Sequence, residues 1–337
     1  MSDILLAKSN LDADVIDAAV GEAHIVRDTF LSIFDISGFD LPPANKIWEY
    51  QEPQGYKPLI KLLEDRYQAP VIICNGAKQG LGSCFYALKQ LGKSNLGVKM
   101  PYWALIPPLM EMHGLSFQSN DLSKIDSYLD VSPNNPDGHM SDLKFLSEVL
   151  SENKIPFIHD AAYYTHTYLP SSYNLDVFGD AQIYSISKMF GFSSLRLGFV
   201  VCKNPEFYKL IKYYMENMTV GVSILSQIFL YNLLNMMHEF PFLSKKFEQS
   251  SFDALKNSKV IFKQINSNIL EIPDNLEDVI GMFAFCKTKD ISLFKKVKVN
   301  VIDGKHFGAP NYIRINLALP ESQIQEIVKR INFIKEA

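Results

Sequence analysis

Ser185-Ile186-Ser187-Lys188-Met189-Phe190-Gly191, followed closely by Arg196-Leu197-Gly198, is the stretch on which the fold and the chemistry turn. It prolongs the apolar run Ala181 to Ser185, whose length and composition suit a buried strand. A lysine just past such a strand, ringed by apolar neighbours, is costly unless it is paired or reactive. Burial favours its neutral amine, the form that attacks an aldehyde. Arg196, eight positions later, offers a planar fork of donors suited to a phosphate, and Ser185 and Ser187 add hydroxyls. Alone, the segment also reads as a solvated lysine beside a helix-stabilising arginine, so its surroundings must decide.

Around it, short apolar runs alternate with helical patterns from about residue 70 to 202. The expected strands are Val71 to Cys74, Leu96 to Met100, Tyr128 to Val131, Ile155 to His159, Ala181 to Ser185 and Phe199 to Cys202. That alternation is the pattern of an α/β fold, a mainly parallel sheet sandwiched by helices, in which ligands gather beyond the carboxyl ends of the strands. A helix follows Met140 with Leu143, Leu146, Val149 and Leu150 on one face and Ser141 as its N-cap. From 204 to 265 the pattern is mostly helical, with a buried helix over Val222 to Met237. Strands at Met282 to Cys286, Val297 to Ile302 and Tyr312 to Leu317, then a closing helix bearing Ile324, Ile327, Val328, Ile331 and Ile334, predict a smaller α+β unit. The expected division is an N-terminal segment, 1–42, packing with the small unit, a large unit, 43–240, and the small unit itself, 241–337.

Two further segments carry chemistry. Ser132-Pro133-Asn134-Asn135-Pro136-Asp137-Gly138 is a restrained turn that fixes Asn135 at a strand end. His159-Asp160-Ala161-Ala162-Tyr163 sets an acid directly after another strand, where a carboxylate could keep a pyridine nitrogen protonated. Singly, these are a plain turn and a satisfied aspartate cap. In order, Asn135-Pro136-x-Gly138, Asp160-x-Ala162-Tyr163, Ser185-x-Ser187-Lys188-x-x-Gly191 and Arg196-x-Gly198 resemble the fold-type I, class I/II aminotransferases, which depend on pyridoxal 5′-phosphate.

The resemblance implies a residue-by-residue assignment. Lys188 forms the Schiff base with the cofactor, Asp160 pairs with the pyridine nitrogen, Asn135 and Tyr163 hydrogen-bond the phenolic oxygen, and Arg196 binds the phosphate. Asn75-Gly76-Ala77-Lys78-Gln79 resembles the phosphate loop of that family, with backbone N–H groups at a helix start. Trp103, with Tyr102 as the fallback, is the aromatic that stacks on the pyridine ring. Arg314 resembles the arginine that grips the substrate α-carboxylate, and Tyr50 the tyrosine that reaches the phosphate of a neighbouring subunit. Gly21-Glu22 echoes a substrate-facing segment. Within the superfamily, residues 132–138, His159 to Tyr164 and Val220 to Gln227 resemble the plant tryptophan aminotransferases and alliin lyases, with a departure at Ala161.

The implied function is transfer of an amino group from an L-amino acid to a 2-oxo acid. The chain holds five arginines, Arg27, Arg66, Arg196, Arg314 and Arg330, and with Arg196 and Arg314 committed, few cations remain for a second substrate carboxylate, which favours a neutral or aromatic side chain. The alternatives are a β-eliminating C–S lyase, since the same carbanion can expel a leaving group, and a catalytically silent binding protein of the same fold. No metal is expected, because His159 and His166 have no cysteine nearby to complete a zinc set. Tyr50 and the Val220 to Ser223 loop imply a homodimer.

Composition narrows the partners. Charges are dispersed, 33 basic against 37 acidic with a net of −4, so nucleic acid is not expected. At 47% hydrophobic and 21% charged residues the chain can bury a sizeable core. The acidic residues near Met1 do not suit a signal peptide, and the most apolar helical stretch is too short to span a bilayer. With Cys74, Cys84, Cys202 and Cys286 unpaired in spacing, a cytoplasmic protein is expected.

Overall fold

The computed structural model describes residues 11–39, 49–118, 121–266 and 268–333. The described chain opens with β1 (Ile16–Asp17) and α1 (His24–Ile33). It then alternates α2 (Lys57–Tyr67), β2 (Val71–Cys74), α3 (Gly76–Gln90), β3 (Asn95–Val98), α4 (Ile106–Met112), β4 (Ser116–Gln118) and β5 (Ser127–Val131). Next come α5 (Leu143–Glu152), β6 (Phe157–Asp160), β7 (Ala181–Ser185), α6 (Ile186–Met189) and β8 (Gly198–Cys202). Helices α7 (Pro205–Thr219), α8 (Ile224–Glu239) and α9 (Pro241–Phe262) lead to the small unit. That unit holds β9 (Leu270–Glu271), β10 (Phe283–Thr288), α10 (Ser292–Lys296), β11 (Val299–Asn300), β12 (Ile302–Asp303), β13 (Tyr312–Asn316) and α11 (Glu321–Asn332).

The large sheet runs in the order β2-β8-β7-β6-β5-β3-β4. Its pairings are parallel except those of β8, which is antiparallel to both β2 and β7. Successive side chains point to opposite faces, and both faces are covered. Ile72 and Cys74 of β2 pack under α3, α4 and α7 with Leu81, Phe85, Ile106 and Phe207. Val71 and Ile73 face the other way, among Leu59, Leu230, Phe30 and Phe247. In the small unit the antiparallel order β12-β13-β10-β9 packs Cys286, Ile313 and Ile315 against Ile324, Ile327 and Ile331 of α11.

The two units share elements. Phe247 and Leu255 of α9 lie in the large unit's core, whereas Ile261 and Phe262 lie in the small unit's. Near the N-terminus, β1 pairs in parallel with β11 of the small unit, and Val26 and Phe30 of α1 join the large core.

Several local expectations change. β3 stops at Val98, short of the expected Met100, and β4 adds an edge strand too brief to stand out in sequence. The N-cap of α5 is Asp142, whose carboxylate accepts from Phe145 N–H, because the Ser141 hydroxyl is drawn away to Asp130 at 2.8 Å. The run Val297 to Ile302 is not one strand: Val299–Asn300 pairs with β1 and Ile302–Asp303 with β13, so the chain changes sheets at Val301. Ile334 lies outside the described residues.

One feature of the topology builds the site. The carboxyl ends of β2, β5, β6 and β7 lie along one edge of the sheet. Since β8 runs the other way, its first residue, Gly198, arrives at the same edge, paired with both Cys74 and Ser185. The segment just before β8, which holds Arg196, is thereby brought beside the residues that follow β2 and β7.

Candidate active site

A cavity of about 380 Å³ lies at that edge, between the large sheet and β13. Lys188 on α6 forms part of its wall, with its Nζ donating to the carbonyl of Gly21. Burial, and next the positive Arg314, lower its pKa to about 8, against an opposing pull from Glu22. The backbone beneath is pinned by Tyr168, whose hydroxyl donates to Lys188 O at 2.8 Å. A neutral amine is therefore available near physiological pH.

Ser185, Ser187, Gly76, Ala77, Lys78 and Arg196 line one end. Here α3 starts directly after β2, and Asn75 makes no side-chain cap, so the first N–H groups of a 15-residue helix face this end without a partner inside the helix. Gly76 takes φ +72°, and a Cβ there would sit 2.6 Å from Arg196 Nη2. A Cβ on Gly198 would meet Tyr184 O at 2.6 Å and Ala77 N at 2.7 Å. Both glycines let three strand ends crowd together. Burial, and then Arg196, depress the pKa of Lys78. Two cations and a helix N-terminus converge, and neither cation forms an ion pair among the described residues, which is the arrangement of a site for a doubly charged anion.

At the other wall stands Asp160, 5% exposed. Burial lifts its pKa to about 6, with Ala162 N–H at 3.1 Å pulling the other way and Asp130 adding to the rise. Among the described residues it forms no ion pair, so a cationic ring N–H is the partner it lacks. Tyr163 is buried against Phe283 with ring centroids 5.9 Å apart, and burial pushes its phenol far up, so it stays a donor. Of the two aromatic candidates, Trp103 lines the cavity, while Tyr102 turns to Phe117 with centroids 5.6 Å apart.

Asn135 and Arg314 meet in the same wall: Arg314 Nη1 donates to Asn135 Oδ1 at 2.9 Å, and Nη2 donates to Ala19 O at 2.6 Å. The guanidinium lies over Phe283, 4.1 Å from the ring centroid, and Phe307 at 5.2 Å. Among the described residues its Nε has no hydrogen-bond partner, and burial lowers its pKa to about 10. A buried guanidinium with an unfilled donor, and with no carboxylate among the described residues, is prepared for one from outside. The Asn135 turn is tied down by Asn134 Nδ2 donating to Pro101 O at 2.9 Å, and Gly138, at φ +68°, leaves no room for a Cβ, which would collide with Ile280 O.

Every proposed cofactor and substrate residue except Tyr50 lines this cavity. Tyr50 is 92% exposed and is not among the residues that line the pocket of its own chain. Sequence reasoning missed Ala19, Val20, Phe283, Ser193 and Phe307; Phe283 comes to share a face with Arg314 only through the β10–β13 pairing, which the sequence did not signal. Arg27 and Arg330 are held elsewhere, by Asp28 and Glu326. Arg66 sits over Tyr67. Among the described residues no group of three His, Cys, Asp or Glu side chains could hold a metal, and no helix is long and apolar enough to cross a membrane.

The donor set fits pyridoxal phosphate: an anion cradle, a buried carboxylate with no cation among the described residues, and an amine of lowered pKa, all lining one cavity. Comparison with known proteins agrees in fold. A solved double-mutant aspartate aminotransferase of Thermus thermophilus matches with TM-score 0.77 at 17% identity, covering 98% of this chain and 94% of that one, which establishes the fold-type I architecture. Tryptophan aminotransferase-related protein 2 of Arabidopsis thaliana is 26% identical over 262 residues, 71% of this chain and 57% of that protein. An Aquifex aeolicus protein described as a probable aspartate/prephenate aminotransferase is 24% identical over 326 residues, 86% of this chain and 82% of that one. The chain spans 57% and 62% of the length of the Arabidopsis related proteins 2 and 3. The family model for aminotransferases of class I and II matches residues 43–331, a span that takes in each residue of the cavity from Gly76 to Arg314, and to that family this chain belongs.

Proposed function

We propose that the protein is a pyridoxal-phosphate-dependent aminotransferase, moving the amino group of an L-amino acid with a neutral or aromatic side chain to a 2-oxo acid. The observation that carries this reading is the convergence of Lys188, Asp160, Arg196 and Arg314 on one cavity, in which Asp160, Arg196 and Arg314 have no ion-pair partner among the described residues.

Arg196, Lys78 and the first turn of α3 would hold the cofactor's phosphate, Asp160 its ring nitrogen, Tyr163 and Asn135 its phenolic oxygen, Trp103 its ring face and Lys188 its aldehyde carbon. Bound there, pyridoxal phosphate supplies an electron sink for negative charge at the amino acid's Cα. Arg314 grips the α-carboxylate and so fixes the direction of the Cα–H bond, while Asn135 orients the guanidinium. The amine of Lys188, whose pKa of about 8 keeps a useful neutral fraction, takes the Cα proton as general base. Phe283 and Phe307 cover Arg314 and exclude water from the ion pair it forms.

Two copies are part of the proposal. Tyr50, 92% exposed, and Val220, 50% exposed, are apolar surface that a partner would cover, with Tyr50 reaching the partner's phosphate end. A reducing, cytoplasmic setting suits four free, buried thiols.

Incubation of the loaded protein with tryptophan and pyruvate tests the activity: alanine is the expected product. Pyruvate released from an S-alkyl cysteine sulfoxide alone, without alanine in the first reaction, would make the protein a lyase. No reaction in either, with no cofactor retained, would leave a binding protein of this fold.

A further inference from the structure

Between the buried apolar residues Leu129 and Val131 of β5 stands Asp130, 3% exposed and with no ion pair among the described residues. It lies on the face of the sheet away from the cavity. Its register partner on β6 is His159, and the next residue, Asp160, points the other way and lines the cavity. Burial lowers the pKa of His159, so that ring is neutral at pH 7 and supplies no counter-charge. A buried carboxylate without a cation is costly, and an apolar side chain would suit this core better. What Asp130 contributes lies in its hydrogen bonds.

They go to the two ends of one loop. Ser132 Oγ donates to Asp130 Oδ1, and Ser141 Oγ donates to Oδ2 at 2.8 Å. The two serines also meet directly, Ser141 N–H donating to Ser132 Oγ at 3.2 Å. His159 Nε2 donates to Ser132 O at 2.9 Å, which completes the base of the loop. Beyond the base, Asn134 N–H donates to His139 O at 2.8 Å and Gly138 N–H to Asn134 O at 2.9 Å. Asn135 sits between these contacts, with its Oδ1 accepting from Arg314 Nη1 at 2.9 Å. Residues 132–142 belong to no strand or helix, so the placing of Asn135 depends on such contacts, at the base as at the tip.

We propose that Asp130 is a positioning residue for the active site: a carboxylate staple on the far face of the sheet that closes the base of the 132–141 loop and so holds Asn135 to Arg314 and to the cofactor's phenolic oxygen. Hydrogen bonds to an ionised acceptor are about twice as strong as neutral ones, and two oxygens on one carbon reach both ends of the loop at once. The inference rests on Asn135 meeting the phenolic oxygen. With its Oδ1 taken by Arg314, Nδ2 is the group left for that oxygen.

The test removes one leg of the staple and leaves its charge in place, because Asp130 also raises the pKa of Asp160. Ser141→Ala does this, and it spares α5, which Asp142 caps; Ser141→Thr restores the hydroxyl. The readout is the pH midpoint of the visible absorption band of protein loaded with pyridoxal phosphate. A hydrogen bond donated to the phenolic oxygen favours its charged, deprotonated form, so Asn135→Ala should move the midpoint up by about one pH unit or more and Ser141→Ala by about 0.3 unit or more. Ser141→Thr should return it to the wild-type value. Asn135→Ala combined with Ser141→Ala should match Asn135→Ala alone, since the staple acts through Asn135. In cofactor-free protein, Ser141→Ala should speed hydrogen exchange at the N–H groups of Asn134 and Gly138 by about tenfold. A Ser141→Ala midpoint equal to that of wild type, or shifts that add in the double variant, would overturn the inference and leave Asn135 its place. An unmoved midpoint in Asn135→Ala, or loaded protein without a visible band, would refute the reading of the site itself, and the staple's purpose with it.

Discussion

Capture of pyridoxal phosphate by the cofactor-free protein should depend on pH with a midpoint near 8. Burial is the main reason that Lys188 sits at about 8, Arg314 the second, and Glu22 works against both. At pH 7 the neutral amine is then about one-tenth of the total, against about one part in 2,500 for an ordinary lysine near 10.4. The pocket thus multiplies the reactive form by about 200-fold at neutral pH. Stopped-flow absorbance from pH 6 to 10 should show capture accelerating about tenfold per pH unit up to 7 and levelling above 9. Arg314→Gln removes a like charge and should move the midpoint up, and Glu22→Gln should move it down. The sign for folding follows from the same shift. The folded pKa lies below the unfolded one, so between about pH 8 and 10.4 the unfolded chain binds more protons at this group, and its contribution to stability rises with pH across that window. A rate that keeps climbing one decade per unit to pH 10, or a midpoint indifferent to Arg314→Gln, would refute this account of Lys188.

Other expectations can be checked separately. Asp160→Asn keeps the contact with Ala162 N–H but loses the charge, and should cut turnover by about 100-fold or more. Because burial raises Asp160 to about 6, its ionised form opposes folding above that pH, so this variant should melt no lower than wild type at pH 7. Gly198→Ala drives a Cβ into Tyr184 O and Ala77 N, which should cost about 1–3 kcal/mol in chemical denaturation and speed loss of cofactor on dilution. Tyr50→Ala should weaken cofactor retention in a dimer verified by light scattering; a fully active monomer would exclude the shared site.

The sheet and the cavity were legible in sequence to different degrees. Lys188, Asp160, Asn135 and Arg196 could be found because each follows or precedes a strand whose apolar run is unmistakable, and a parallel sheet gathers such positions at one edge. Arg196 needed one thing more, the reversal of β8, which the alternation of strands and helices did not announce. Phe283 and Phe307 escaped notice since an aromatic in an apolar strand or turn looks like core; only the pairing of β10 with β13 puts Phe283 beneath a guanidinium. Ser141 and Asp142 compete for one N-cap, and a buried partner, Asp130, settles the contest through a contact eleven residues back in the chain. The division of 297–302 between two sheets was hidden because β1 supplies the partner for Val299 from the far end of the sequence.

Whether the Nζ of Lys188 bonds the cofactor's aldehyde carbon is the point on which the rest stands. Protein incubated with pyridoxal phosphate, reduced with borohydride and digested should carry the added pyridoxyl mass on the peptide containing Lys188, and Lys188→Ala should carry none. Label distributed over surface lysines, or retained in the variant, would contradict the account.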